Sequence, residues 1–321
     1  MRALVLSSHD TTPELDQVAL PQPAAQEVRI RVAACGLNFA DLLMIRGTYQ
    51  DTPALPFVPG MEVAGVIDAC GPDVTGLAPG ARVAAFTGAG GLAEYVTCPA
   101  AHCLPLPDAM PMEQAAGFQI AYGTSHLALD HKARLQPGET LLVLGAAGGV
   151  GLTAVEIGAQ MGARVIAVAR GADRLAIARA AGAEITLDSD GLDLRAACRE
   201  LGGVDVVYDA IGEPLATPAL RGLNPEGRFL TIGFAGGQVP QFPGNLLLVK
   251  NISVLGLYWG GYLRFAPQVL TDSLRTLLDW YAGGRISPHI GAILPFDQVA
   301  EGLELLRNRK ATGKVVIRIA P

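Results

Sequence analysis

Charge is scarce in this 321-residue chain: 17% of its residues are Asp, Glu, Lys or Arg, against 50% that are hydrophobic. Such a composition supplies ample material for buried cores, which excludes a disordered chain. Basic residues are the rarer charge. Thirty acids stand against 24 bases, the net charge is −6, and no basic run exceeds a few residues. A phosphate-backbone binder needs a concentrated positive surface, so no nucleic-acid partner is expected. Long apolar runs are missing as well. The richest, Leu141 to Val155, spans fifteen residues, holds four glycines and stops at Glu156. A spanning helix needs about 20 apolar residues, so no membrane role is expected. Cysteine is sparse: residues 35, 70, 98, 103 and 198 form no CxxC pair and no dense framework. That usage, with an N-terminal MRALVLSSHD that lacks a secretory shape, reads as reduced thiols in a cytoplasm.

What is present falls into three parts. Residues 1–121 alternate short strand-like runs (VRIRVAACGL, GMEVAGVIDACG, ARVAAF, LAEYVTCP) with Pro/Gly punctuation, the pattern of a mostly antiparallel β domain. Residues 122–257 alternate apolar strands (TLLVLGA, ARVIAVAR, EITLD, VDVVYDAIG, GRFLTIG, ISVLGLY) with helical segments such as DRLAIARAAGA. That alternation predicts a doubly wound parallel sheet. Residues 258–321 hold two helical patterns and a closing strand, GKVVIRIA. The segment is too small to fold alone and is expected to rejoin the first part. The expected fold class is therefore α/β: a nucleotide-binding Rossmann domain inserted into a discontinuous β domain made of 1–121 plus 258–321.

The stretch TLLVLGAAGGVGLTAVEIGAQMGARVIAVAR gives strand, glycine turn, helix and strand in order. Ala147, Gly148, Gly149, Val150 and Gly151 are the expected cofactor-binding turn, because glycines let backbone N–H groups and a helix N-terminus approach a pyrophosphate. The first glycine of G-x-G-x-x-G is replaced by Ala146. At the end of the second strand, where an NAD site carries a carboxylate, stands Arg170, followed by Arg174. Both can hold a 2′-phosphate by charge-assisted bonds, so NADPH is the expected cofactor. Asp173 reads as an acidic first-turn residue of the next helix.

The sequence resembles the zinc-free quinone oxidoreductase (zeta-crystallin-like) branch of the medium-chain dehydrogenase/reductase superfamily over essentially its whole length. The carriers are GLNFADLLMIRGTYQ, PFVPGMEVAGVI, PGETLLVLGAAGGVG, VVYDAIG, NLLLVKNISVLGLYWG and ATGKVV. The resemblance implies that the β domain is GroES-like. It also implies homodimerisation through the Rossmann sheet edge, with ISVLGLYWG as the edge strand. Zinc-dependent relatives place a Cys where this chain has Asn38 and a His where it has Met61. An amide and a thioether replace those donors poorly, so no metal is expected. The trio Cys98, His102 and Cys103 lacks a fourth donor nearby and is read as structural.

Without a Lewis acid the acceptor must be one that needs little activation, such as a quinone or an electron-poor enone. By resemblance Asn38 and Tyr49 serve the substrate and Thr124 lies beside the nicotinamide, which makes these three the catalytic candidates. Gly233 and Phe234, again by resemblance, belong to the loop that covers the cofactor. Asn38 is read as an oxyanion donor and Asp41 as a structural acceptor. One of Arg309, Lys310 and Lys314 falls where family members place a basic residue near the cofactor phosphate. His126 is read as a core or helix-face residue, and His9, His131 and His289 as surface positions. Two other readings stand beside the quinone reductase: an enoyl-thioester (acryloyl-CoA-like) reductase, and a nucleotide-binding protein with little turnover.

Overall fold

Alternation along the central strand of the N-terminal part shows how this sequence makes a sheet. In EVRIRV the side chains of Val28, Ile30 and Val32 are buried, while Arg29 and Arg31 face outward, the period-2 pattern of a pleated strand. The computed structural model describes residues 1–319 and divides them into two compact units, 1–120 with 288–319 and 121–287.

The first unit holds β1 (Arg2–Val5), β2 (Glu14–Gln17), β3 (Glu27–Leu37), β4 (Glu62–Cys70), β5 (Arg82–Phe86), β6 (Tyr95–Pro99) and β7 (Cys103–Pro105). Helices α1 (Phe39–Ile45) and α2 (Met112–Ala116) belong with them. The boundary between the units falls inside the next helix, α3 (Gln119–His126).

The second unit runs β8 (Thr140–Leu144), α4 (Gly149–Gln160), β9 (Arg164–Ala169), α5 (Ala172–Ala180), β10 (Ile185–Asp188), α6 (Leu194–Glu200) and β11 (Val204–Asp209). It continues with α7 (Ala216–Gly222), β12 (Leu223–Thr231), α8 (Gly244–Lys250), β13 (Ser253–Gly256), α9 (Tyr262–Phe265) and α10 (Pro267–Ala282). The chain then returns to the first unit as β14 (Ile290–Pro295), α11 (Val299–Arg307) and β15 (Lys314–Arg318).

In the second unit six parallel strands lie in the order β10-β9-β8-β11-β12-β13. This is the doubly wound order in which the chain reverses direction across the sheet between its first and fourth strands, here β8 and β11. β11 serves both faces. Val207 joins a core with Leu194, Cys198, Ala219 and Leu220 of α6 and α7. Its neighbour Tyr208 points the other way, its hydroxyl 2.9 Å from Ser125 Oγ, which lies 2.7 Å from Thr153 Oγ1 of α4. In the first unit the sheet order is β14-β15-β3-β4-β5-β7, with β6 also on β3, and all pairs are antiparallel except β14–β15.

Residues 258–287 depart from the expected division. They pack in the second unit rather than with the β domain. The reason is visible in α10, whose buried Ser273 meets His126 Nδ1 at 2.8 Å while Trp280 stands edge-on to the same ring. His126 is thus a core residue, 6% exposed.

Helix α1 is held by its own third residue. Asp41 is fully buried, accepting from Asn38 N at 2.8 Å and from Gly60 N at 3.0 Å. Burial pushes its carboxyl up from 3.8 to about 6, against the pull of those two N–H groups and of Lys314. A raised carboxyl favours the folded state only while protonated. Its contribution is complete below pH 3.8 and is lost as pH rises through 6. Denaturant midpoints of wild type and Asp41→Asn at pH 4 and pH 7 should therefore show the wild-type advantage shrinking toward neutrality, by up to about 3 kcal/mol. A gap that widens with pH would contradict this assignment.

Candidate functional site

In the first unit the polar residues converge on one lysine. Lys314 opens β15 and is 5% exposed. Its Nζ donates to Glu62 Oε1, Leu37 O and Asn38 Oδ1 at 2.6, 2.8 and 2.8 Å. An ammonium has three protons, and each has an acceptor. Glu62, 1% exposed, also accepts from Asn38 Nδ2 at 3.0 Å and from Ile120 N at 3.0 Å. Glu62 on β4 lies opposite Gly36 on β3. A Cβ there would meet Ala116 O at 2.2 Å and Glu62 Oε1 at 3.0 Å.

This arrangement determines how Asn38 is used. Its two amide hydrogens go to Gly36 O and Glu62 Oε1, and its oxygen accepts from Lys314. The expected oxyanion donor has both protons directed inward. Tyr49 is half-buried and packs against the hydrophobic core of the unit. Among the basic residues before β15, Lys314 belongs to Glu62, while Arg309 and Lys310 are exposed. The donor set also answers the question of zinc. An amide, the Met61 thioether and a carboxylate already matched to an ammonium do not form a zinc site. Cys98 and Cys103 lie 3.7 Å apart at sulfur, yet no group of three or more His, Cys, Asp or Glu among the described residues could hold a metal.

In the second unit the glycine turn lies at the carboxyl end of β8, next to the point where the strand order reverses. Gly145 N and Ala146 N donate to Val168 O of β9, which fixes the start of the turn. Gly148 is the N-cap of α4, leaving the Gly149, Val150 and Gly151 amides without an intrahelical acceptor. Gly151 must be glycine, since a Cβ would lie 2.1 Å from Gly145 O. Twelve residues of helix add their dipole to those amides. The turn can therefore receive a diphosphate. Thr124 sits in α3, 7% exposed.

At the end of β9, Arg170 is exposed and pairs with Asp190 at 3.2 Å. An exposed pair of this kind is worth about 0–1 kcal/mol, so the guanidinium can exchange partners. Arg174 is half-buried on α5. Asp188, a carboxylate at the neighbouring strand end, accepts from Gly171 N at 3.2–3.3 Å and from Asp190 N at 3.1 Å.

Sequence reasoning missed Asp209. It ends β11 inside the quoted VVYDAIG and is fully buried. Oδ1 accepts from Ile211 N and Gly212 N at 2.8 and 2.9 Å. Its backbone oxygen accepts from Ile232 N and Gly233 N, so one residue carries both loops, including that of Gly233 and the 36%-exposed Phe234. Asp209 Oδ2 and Thr231 Oγ1, on residues opposed in the β11–β12 register, have no hydrogen-bond partner among the described residues. Burial, and Glu213 nearby, hold the carboxyl above the usual range. A buried Asp in sequence looks like any strand-end Asp; only its burial separates the two.

Two outcomes follow from these clusters. Lys314→Met leaves the Glu62 carboxylate buried and unpaired, and should lower stability by about 3–5 kcal/mol. Adding Glu62→Gln should restore roughly half of that loss, both read from urea midpoints. At the other cluster, Asp209→Asn keeps the oxygen that holds Ile211 N and Gly212 N, so its unfolding midpoint should stay near wild type. Asp209→Ala strands both amides and should cost about 2–4 kcal/mol. Equal losses for Asn and Ala would show that the ionised carboxylate is required.

Comparison with known proteins agrees with this architecture. The family described as "Alcohol dehydrogenase GroES-like domain" matches residues 24–108, and "Zinc-binding dehydrogenase" matches 149–281. A quinone oxidoreductase-like protein 2 homolog of Nematostella vectensis is 39% identical over 308 residues, covering 94% of this chain and 84% of that protein. The quinone oxidoreductase of Thermus thermophilus, solved alone and with NADPH, has a TM-score of 0.88 at 35% identity, covering 99% of this chain and 100% of that one. The Escherichia coli quinone oxidoreductase solved with NADPH gives 0.91 at 26% identity, covering 99% of this chain and 100% of that one. With a GroES-like β unit, a Rossmann unit and these relatives, the chain belongs to the zinc-free quinone oxidoreductase branch of the medium-chain dehydrogenase/reductase superfamily.

Proposed function

We propose that the chain is an NADPH-dependent oxidoreductase that passes hydride to a quinone or a similarly activated conjugated carbonyl, without metal. The observation that carries this reading is the glycine turn at the carboxyl end of β8, with free α4 amides and arginines at the end of β9. Solved relatives bound to NADPH support the cofactor. When bound, NADPH supplies the hydride. The Gly149, Val150 and Gly151 amides take the diphosphate, and Arg174 with Arg170 takes the 2′-phosphate. The Gly233–Phe234 loop and Thr124 orient the nicotinamide end. In the β unit Tyr49 serves the acceptor, and Asn38 acts by fixing Lys314 and Glu62 rather than by donating to substrate. A quinone suits such a site because the charge that develops on it is delocalised and solvent can supply the proton. The uncovered edge strand β13, beside Leu248 and Val249 of α8 at 78% and 77% exposure, supports a homodimer through that sheet edge.

The test is NADPH oxidation by chelator-treated protein with 1,4-benzoquinone, run beside a crotonyl thioester. Benzoquinone should be reduced at an undiminished rate after chelation. Arg174→Ala should weaken NADPH binding by about 1.5–3 kcal/mol, the scale of a charged hydrogen bond, and leave NADH nearly unchanged. Turnover of the thioester alone would overturn the quinone assignment in favour of an enoyl reductase. Zinc lost together with activity would overturn the metal-free mechanism.

A further inference from the structure

At the amino ends of β11 and β12, away from the glycine turn, the second unit has a groove of about 640 Å³. One wall is α6, with Arg195 and Arg199 one helical turn apart; the other is the end of α7 with Arg221, and Asn224 beyond it. Several arginines elsewhere on this protein face carboxylates: Arg2 with Glu94, Arg29 with Asp68, Arg228 with Glu139, Arg318 with Glu113. Among the described residues, the guanidiniums of Arg195, Arg199 and Arg221 have no ion pair and no hydrogen bond. Like charges at this helical spacing repel.

The other polar groups do not relieve them. Asp193 Oδ1 is engaged as the N-cap of α6, accepting from Ala196 N at 2.9 Å. Asn224 Nδ2 donates to Asp205 Oδ1 at 2.8 Å. Lys250 adds a fourth cation, its Nζ held by Arg221 O at 2.8 Å. Burial and the nearby Arg195 together lower the Lys250 ammonium below its ordinary range. Four cations, Arg195, Arg199, Arg221 and the adjoining Lys250, less two carboxylates, Asp193 and Asp205, leave a local charge of +2 in a protein whose net charge is −6. The groove is also remote from the nucleotide turn: the length of β11, Val204 to Asp209, separates the two ends of the sheet by about 16 Å at ~3.3 Å per residue.

We propose that this groove binds a small polyanion of the oligophosphate class, with three or more charges carried on phosphate oxygens. Guanidinium forks on opposing walls match adjacent phosphates bidentately, which a single carboxylate cannot engage at once. The site does not depend on the identity of the hydride acceptor or on the cofactor.

Inorganic tripolyphosphate, titrated calorimetrically into the full chain in about 150 mM salt, where the Debye length is roughly 8 Å, tests this. One ion should bind per chain and raise the melting temperature. Arg195→Gln/Arg199→Gln, which alters two exposed side chains without partners, should weaken that binding at least about tenfold with unchanged far-UV dichroism. Arg170→Gln/Arg174→Gln should leave it within about twofold. Absence of binding overturns the proposal. So does binding that survives the α6 pair and is lost with Arg170 and Arg174, since that ion would sit at the nucleotide turn.

Discussion

An ammonium and a carboxylate that have left water together hold the β unit in register. Lys314 joins β15 to β4 across β3, and the strand between them carries Gly36, where a Cβ would run into Ala116 O. Neither ion could be buried alone, because desolvation of one charge exceeds what neutral surroundings return. The pair therefore constrains its neighbours: Asn38 must bridge, and Ile120 N must reach Glu62. Residues separated by 252 positions in sequence are fixed by one contact of 2.6 Å.

The second unit solves a related problem with backbone instead of charge. Its functional end is a set of loops at the carboxyl ends of parallel strands, where main-chain amides lack partners. At β8 those amides are left open, toward a ligand. At β11 they are closed by Asp209, which ties Ile211 and Gly212 through its side chain and Ile232 and Gly233 through its oxygen. An open turn and a closed one, side by side, give a rigid loop next to a receptive one.

Much of this is legible in order of sequence distance. The Val28–Val32 alternation and the run of apolar strands from Thr140 onward are local patterns, and local patterns report local structure. The glycine turn is readable because strand, glycines and helix follow one another within a dozen residues. Residues 258–287 fall to the wrong unit in a sequence reading because an amphipathic helix shows that it has an apolar face, not which core receives it. His126 and Ser273 are 147 residues apart, and only the fold brings them to 2.8 Å. Asn38 reads as a donor to substrate for the same reason. Its acceptors, Glu62 and Gly36, and its donor, Lys314, come from three strands.

The chemistry chosen for that buried cation has a further consequence. Of the 24 basic residues only four are lysines, at 132, 250, 310 and 314, and the rest are arginines. The ammonium of Lys314 turns all three of its donors inward, toward Leu37 O, Asn38 Oδ1 and Glu62 Oε1. Amine acylation, which needs a free lone pair on nitrogen, is accordingly blocked at Lys314 for as long as the β unit stays closed. With so few competing amines, the rate at which that residue becomes modified reads out how often the β unit opens.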